Sequence, residues 1–171
     1  GRQRVTTDIE PNNDFASADM VALDAAPNNA NFLTGLLVGD IGWATDTSND
    51  YFAFNGEAGD RLTINLHTAF SNLRLYYPRL YDSSGAELAR MNSGATVGWL
   101  LSNFKLPAND TFYLEIARYS NDTGSYEAEI LLNKAGTNES EDNDDLANAD
   151  FINLNESAGD IVFKTMSGIL N

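Results

Sequence analysis

Cysteine is absent from the 171 residues, and histidine occurs once, at His67. The first absence excludes disulfide frameworks, thiolate zinc sites, iron–sulfur clusters and cysteine nucleophiles. The second excludes a metal site built from several imidazoles. Basic side chains are scarce as well. Ten Lys and Arg stand against 25 Asp and Glu, a formal net charge of −15. A chain so charged lacks the positive footprint that nucleic acid or an anionic membrane surface requires. No apolar run approaches the roughly 18 residues of a spanning helix, so membrane insertion is not expected. No leader-like segment stands at the start. The opening from Gly1 reads as an excised or processed segment, and the chain is expected to be part of a larger multidomain one.

Catalytic signatures are missing too. There is no nucleophile elbow, no zincin helix and no phosphate loop. His67 lies in the middle of an alternating run, Leu62–Phe70, where a lone histidine is ordinarily a surface or satisfied residue. Nothing singles out a glycosidase-type carboxylate pair among the 25 acids. The chain is not expected to be an enzyme.

What is present is 43% hydrophobic residues, enough for a core, arranged in short runs between turn clusters. Apolar and polar residues alternate over 50–54, 61–68, 111–118 and 126–132. Such alternation is the mark of strands with one buried face. Further strands are expected at 35–41, 73–81, 87–91 and 97–106, the second of these interrupted by Pro78. Asp14 is a candidate N-cap for a helical turn or two up to Met20. About eight strands at such spacing, without crossover helices, describe an all-β antiparallel sandwich.

An internal repeat divides the chain. Asp8, Glu10, Ala16, Ala18 and Asp19 recur as Glu139, Glu141, Ala147, Ala149 and Asp150, at a constant offset of 131. Residues 1–137 therefore form one complete unit, and 138–171 the acidic start of a second, incomplete one. The apolar residues of that second part, among them Phe151, Ile161 and Phe163, call for a host sheet.

Each unit opens on a dense set of oxygen donors. Asp8, Glu10, Asn12, Asn13 and Asp14 lie within seven residues, and Glu139, Glu141, Asn143 and Asp144 open the second. On a non-helical stretch, alternate donors point to one side and can converge on a hard cation. Calcium takes six to eight such oxygens. The competing reading is a solvated acidic linker. Repeated donor spacing favours calcium, because a linker has no reason to repeat it. Asp46, Ser48 and Asp50 copy alternate positions of an EF-hand loop, but Tyr51 stands where that loop requires glycine. Asp46 and Asp50 remain as loop carboxylates ahead of a strand.

Tyr76, Tyr77, Tyr81, Trp99, Tyr113 and Tyr119 form an aromatic group on neighbouring strands. Stiff, amphipathic tyrosines on a sheet face suit a peptide or sugar ligand, and the alternative for each is a place in the core.

Taken in order, several short motifs resemble the bacterial pre-peptidase C-terminal domain. They are Glu10-Pro-Asn-Asn with Ala16 and Ala18, Gly39-Asp-Ile41, Asp50-Tyr-Phe-Ala-Phe54 and Ala58-Gly-Asp60-Arg-Leu62. Leu80-Tyr-Asp-Ser-Ser-Gly85, Phe112-Tyr-Leu114 and Gly124-Ser-Tyr126 follow, so that the match spans 8–133. The resemblance implies a jelly-roll-like sandwich, secreted or at the cell surface, without catalysis. It implies calcium held by Asp8, Glu10, Asn12 and Asn13 with Asp46 and Asp50, and a tyrosine-bearing face for a protein or peptide ligand. The expected function is a calcium-binding adhesion or targeting module. The rivals are a calcium-rigidified spacer and a cryptic glycan-active domain.

Overall fold

The alternating runs become strands because a pleated chain buries every second side chain on one face. In the computed structural model, residues 5–26, 29–42, 49–68, 73–91, 93–94 and 98–135 are described. They hold twelve strands and no helix: β1 Val5–Thr7, β2 Asp19–Met20, β3 Asp24–Ala26, β4 Asn29–Ile41, β5 Asp50–Gly56, β6 Arg61–His67, β7 Arg79–Tyr81, β8 Glu87–Arg90, β9 Ser93–Gly94, β10 Gly98–Lys105, β11 Asp110–Ile116 and β12 Gly124–Asn133.

They form two sheets. One runs β1-β4-β12-β6-β10-β9, with β3 also on β4, and the other β2-β5-β11-β7-β8. The long β4/β12 ladder pairs Phe32 with Asn133 through to Ile41 with Gly124. Between the sheets lies a core that includes the fully buried Leu37, Phe52, Phe54, Leu62, Ile64, Phe112, Leu114 and Ile130. Each such side chain contributes about 1.5–3 kcal/mol relative to exposure, and together they set the register of both sheets.

The all-β sandwich is as expected, with refinements of physical origin. Two short N-terminal strands pair in parallel rather than antiparallel: β1 on β4 and β2 on β5. One excursion of the chain, residues 5–20, thereby adds an edge strand to each sheet. The helical turns expected after Asp14 are a single non-helical turn. The Asp14 carboxylate accepts from the backbone N–H groups of Ala16 and Ser17 at 3.0 and 2.9 Å, and β2 follows at once. The run 73–81 contributes a strand only at 79–81, after Pro78, since proline cannot donate to a ladder.

The turn between β5 and β6 is clasped to the end of β12. Asp60, fully buried, accepts from the N–H of Glu57 at 2.9 Å and of Ala135 at 2.7 Å, and from Lys134 Nζ at 2.9 Å. The chain divides into Gly1–Ala135 and Gly136–Asn171. The second unit expected at 138–171 lies outside the described residues.

Candidate metal centre

The two parallel strands bring the acidic opening to the seam of the sandwich. Asp8 directly follows β1, and its N–H donates to Val38 O at 3.0 Å, extending the pairing with β4. Glu10 comes two residues later, ahead of a cis peptide to Pro11. Asp50 begins β5 on the opposite sheet and is fully buried. A carboxylate oxygen from each of Asp8, Glu10 and Asp50 lies within 4.8 Å of the others. Two like charges about 5 Å apart repel by roughly 3 kcal/mol at an effective dielectric near 20. A divalent cation among them turns that repulsion into attraction.

Two neighbours shape this cluster. Asn12 is fully buried, its backbone carbonyl accepting from Tyr51 N–H at 2.9 Å. Its Nδ2 donates to Asp8 Oδ1 at 2.6 Å and more weakly to Asp19 Oδ2 at 3.3 Å. Its Oδ1 is buried with no hydrogen-bond donor. Leaving a buried amide oxygen unsatisfied costs about 1–3 kcal/mol. Tyr126, on β12, donates its hydroxyl to Asp50 Oδ2 at 2.5 Å. The ring reaches that carboxylate across Gly39, its direct partner on β4. A Cβ at Gly39 would collide with the Tyr126 hydroxyl and come within 3.0 Å of Asp8 Cβ. The missing side chain is what makes the cradle. Asp19, on β2, closes the other side by accepting from Ile9 N–H at 2.8 Å.

The donor set fits a hard cation. It offers carboxylates from both sheets, a buried amide oxygen lacking a donor, and no soft ligand. Of the residues expected to serve, Asp8, Glu10, Asn12 and Asp50 come together. Asn13 is exposed on the same loop. Asp14 is turned to its own cap, where hydrogen bonds from Ser17 hold its carboxyl below the usual carboxylate range. Asp46, Glu139, Glu141, Asn143 and Asp144 lie outside the described residues. Sequence reasoning missed Gly39, Asp19 and Tyr126. The repeat was the available signal for Asp19, since Asp150 stands at the same offset. Tyr126 falls in the Gly124-Ser-Tyr126 motif but reads as one more inward residue of an alternating strand, with no sign of a role at the site.

The aromatic group divides into three. Tyr76, Tyr77 and Tyr119 are 41–48% exposed and lie together. Arg74 stacks on Tyr119 and Arg79 on Tyr76, at 4.8 and 5.6 Å from the ring centres. Tyr77 adopts a positive φ of 34°, a sparsely populated conformation for a non-glycine residue. Trp99 is buried in the core, opposite Leu66. Tyr81 and Tyr113 lie on the outer face of the second sheet under Phe15. There Glu115 is almost fully buried, accepting from Tyr51 and Asn49 on one oxygen and from Tyr81 and Arg79 on the other. Burial, with Glu115 beside it, pushes the Tyr51 hydroxyl up to about 12.

No family model matches the chain. A stretch of 70 residues is 37% identical to a probable subtilase-type serine protease of Deinococcus radiodurans. It covers 40% of this chain and only 10% of that protein's length. Among solved structures, the pre-peptidase C-terminal domain of a Bacillus anthracis collagenase is similar at 19% identity and a TM-score of 0.47. That match covers 66% of this chain and 93% of the other. A periplasmic inhibitor of g-type lysozyme from Aeromonas hydrophila is similar at 14% identity and a TM-score of 0.46, over 77% and 99%.

Proposed function

We propose that the first unit is a non-catalytic calcium-binding β-sandwich module of a secreted or surface-exposed bacterial protein. Its task is to target or attach the larger chain through a protein or peptide ligand. The observation that carries the cation is the buried Asn12 Oδ1, without a donor, beside three converging carboxylates. Asp8, Glu10, Asn12 and Asp50 are the ligands from the described residues, with Asp46 a further candidate. The repeated donors Glu139, Glu141, Asn143 and Asp144 are the ligands of an equivalent second site. Calcium supplies a fixed positive charge that joins the chain's N-terminal excursion to the start of β5.

The exposed trio Tyr76, Tyr77 and Tyr119 favours a binding module over a spacer. Rings backed by arginines are held stiff, so a ligand that stacks on them loses little side-chain entropy. Isothermal titration with calcium, followed by a peptide and glycan array in calcium buffer, tests the reading. Calcium binding that is lost in Asp50→Asn, with peptide hits lost in Tyr76→Ala/Tyr119→Ala, is the expected result. No heat of binding in millimolar calcium, and no change of melting temperature with chelator, refutes it.

A further inference from the structure

Phe15 does something that the cation site does not require. Its ring lies flat on Tyr113, with centroids 4.3 Å apart and planes 7° from parallel. It meets Tyr51 edge-on at 5.5 Å and Tyr81 at 5.5 Å on a tilt of 56°. Those three tyrosines come from β5, β7 and β11, and the hydroxyls of Tyr51 and Tyr81 are both tied to Glu115. The cup is therefore a rigid aromatic box on the outer sheet face, and Phe15 is its occupant. The same short loop carries the cation ligands. Asn12 stands three residues before Phe15, and Asp19, which bonds Asn12 and Ile9, four residues after it. Between them the Asp14–Ser17 turn fixes the direction in which Phe15 points. The loop has two anchors, a polar one at Asp8–Asn12 and an aromatic one at Phe15, within the Asp14–Ser17 turn.

We propose that Phe15 is a latch whose seating in the Tyr51/Tyr81/Tyr113 cup is thermodynamically linked to cation binding at Asp8, Glu10, Asn12 and Asp50. This rests on the calcium reading above. With Phe15 seated, Asn12 is pre-placed for the cation, and the entropy of ordering the loop is already met. With calcium bound, the loop is fixed and the cup stays filled. Linkage is reciprocal, so removing either anchor weakens the other by the same factor. The repeat keeps an apolar residue at the equivalent place, Leu146 for Phe15, beside Asn143 for Asn12. Phe15 is accordingly a positioning residue for the cation and not a ligand.

The test uses the full chain and three measurements. Calcium titration of Phe15→Ala is expected to give a dissociation constant raised roughly 5- to 150-fold, with Phe15→Leu recovering most of the loss. Melting is compared with calcium and with chelator. A latch makes Phe15→Ala costly in calcium and much less so in chelator, whereas a merely structural ring lowers both melting temperatures equally. Tyrosine nitration with peptide mapping reads the cup itself. Tyr51, Tyr81 and Tyr113 should be protected in calcium and label on chelation, with Tyr76 labelling in both. Unchanged affinity in Phe15→Ala, together with equal melting losses, overturns the linkage while leaving the calcium reading intact. Absence of calcium binding in the parent chain overturns both.

Discussion

Tyr126→Phe isolates one hydrogen bond at the centre of the candidate site. The ring of Tyr126 is buried and packs edge-on against Phe52 at 6.2 Å, so the substitution keeps the packing and removes only the hydroxyl. What is lost is the 2.5 Å donation to the buried Asp50. A hydrogen bond to a buried charge contributes about 1.5–3 kcal/mol. The unit Gly1–Ala135 has an unfolding entropy of about 2.1 cal/mol/K per residue, so a loss of 2 kcal/mol lowers its midpoint by about 7 °C. That drop is expected in chelator. Affinity should fall, by about 10- to 100-fold, because an outer group that orients a ligand has been removed. In saturating calcium the drop is therefore larger, since weaker binding takes away part of the stabilisation that the cation gives the folded state. Scanning calorimetry in both buffers and a calcium titration give the three numbers. A variant that melts within 1 °C of the parent in chelator and binds calcium with parental affinity refutes the assignment of Tyr126 as the support of Asp50.

Other perturbations follow from the same contacts. Gly39→Ala should cost more than Tyr126→Phe, roughly 2 kcal/mol or above, because the new methyl meets both the Tyr126 hydroxyl and Asp8 Cβ; urea unfolding measures it, and parental stability would count against the cradle. Asp60→Ala strands the backbone N–H groups of Glu57 and Ala135 and removes a carboxylate that pairs with Lys134 Nζ. A loss of about 3 kcal/mol in urea unfolding is expected, while calcium affinity, read by titration, stays unchanged. On the alkaline side the Tyr51 hydroxyl matters. Its folded value, raised to about 12 above an ordinary 10, means that the native state holds this proton more tightly. Its contribution is complete below pH 10 and is lost as pH rises from 10 to 12. Urea midpoints measured from pH 9 upward should fall more steeply in the parent than in Tyr51→Phe, and parallel profiles would sink the argument.

Period-two alternation determined most of the sandwich. Leu62, Ile64 and Leu66, or Tyr126, Ala128, Ile130 and Leu132, leave one face to bury and no choice of register. Charge composition and the 131-residue repeat pointed to Asp8, Glu10 and Asn12 as donors, since side-chain chemistry and spacing are local properties. The parallel pairing of β1 and β2 was not legible. Three- and two-residue strands carry too little pattern, and their partners lie some thirty positions further along. The same holds for the aromatic residues. Tyr76 and Trp99 are alike in sequence terms, yet one is exposed and the other buried. Phe15 and Tyr113, almost a hundred positions apart, give no local sign that they stack.

The amino-acid sequence by itself thus determined which atoms are available, namely hard oxygen donors, no thiol, and faces apolar every second residue. Only the tertiary structure decided that Asp50 comes from the opposite sheet to Asp8, and that Gly39 leaves the space through which Tyr126 reaches it. It alone set Phe15 between three tyrosines. The physical reason is that donors and periodicity are written within a few neighbouring residues. Convergence across two sheets depends on the packing of the whole core, and no short stretch of chain encodes it.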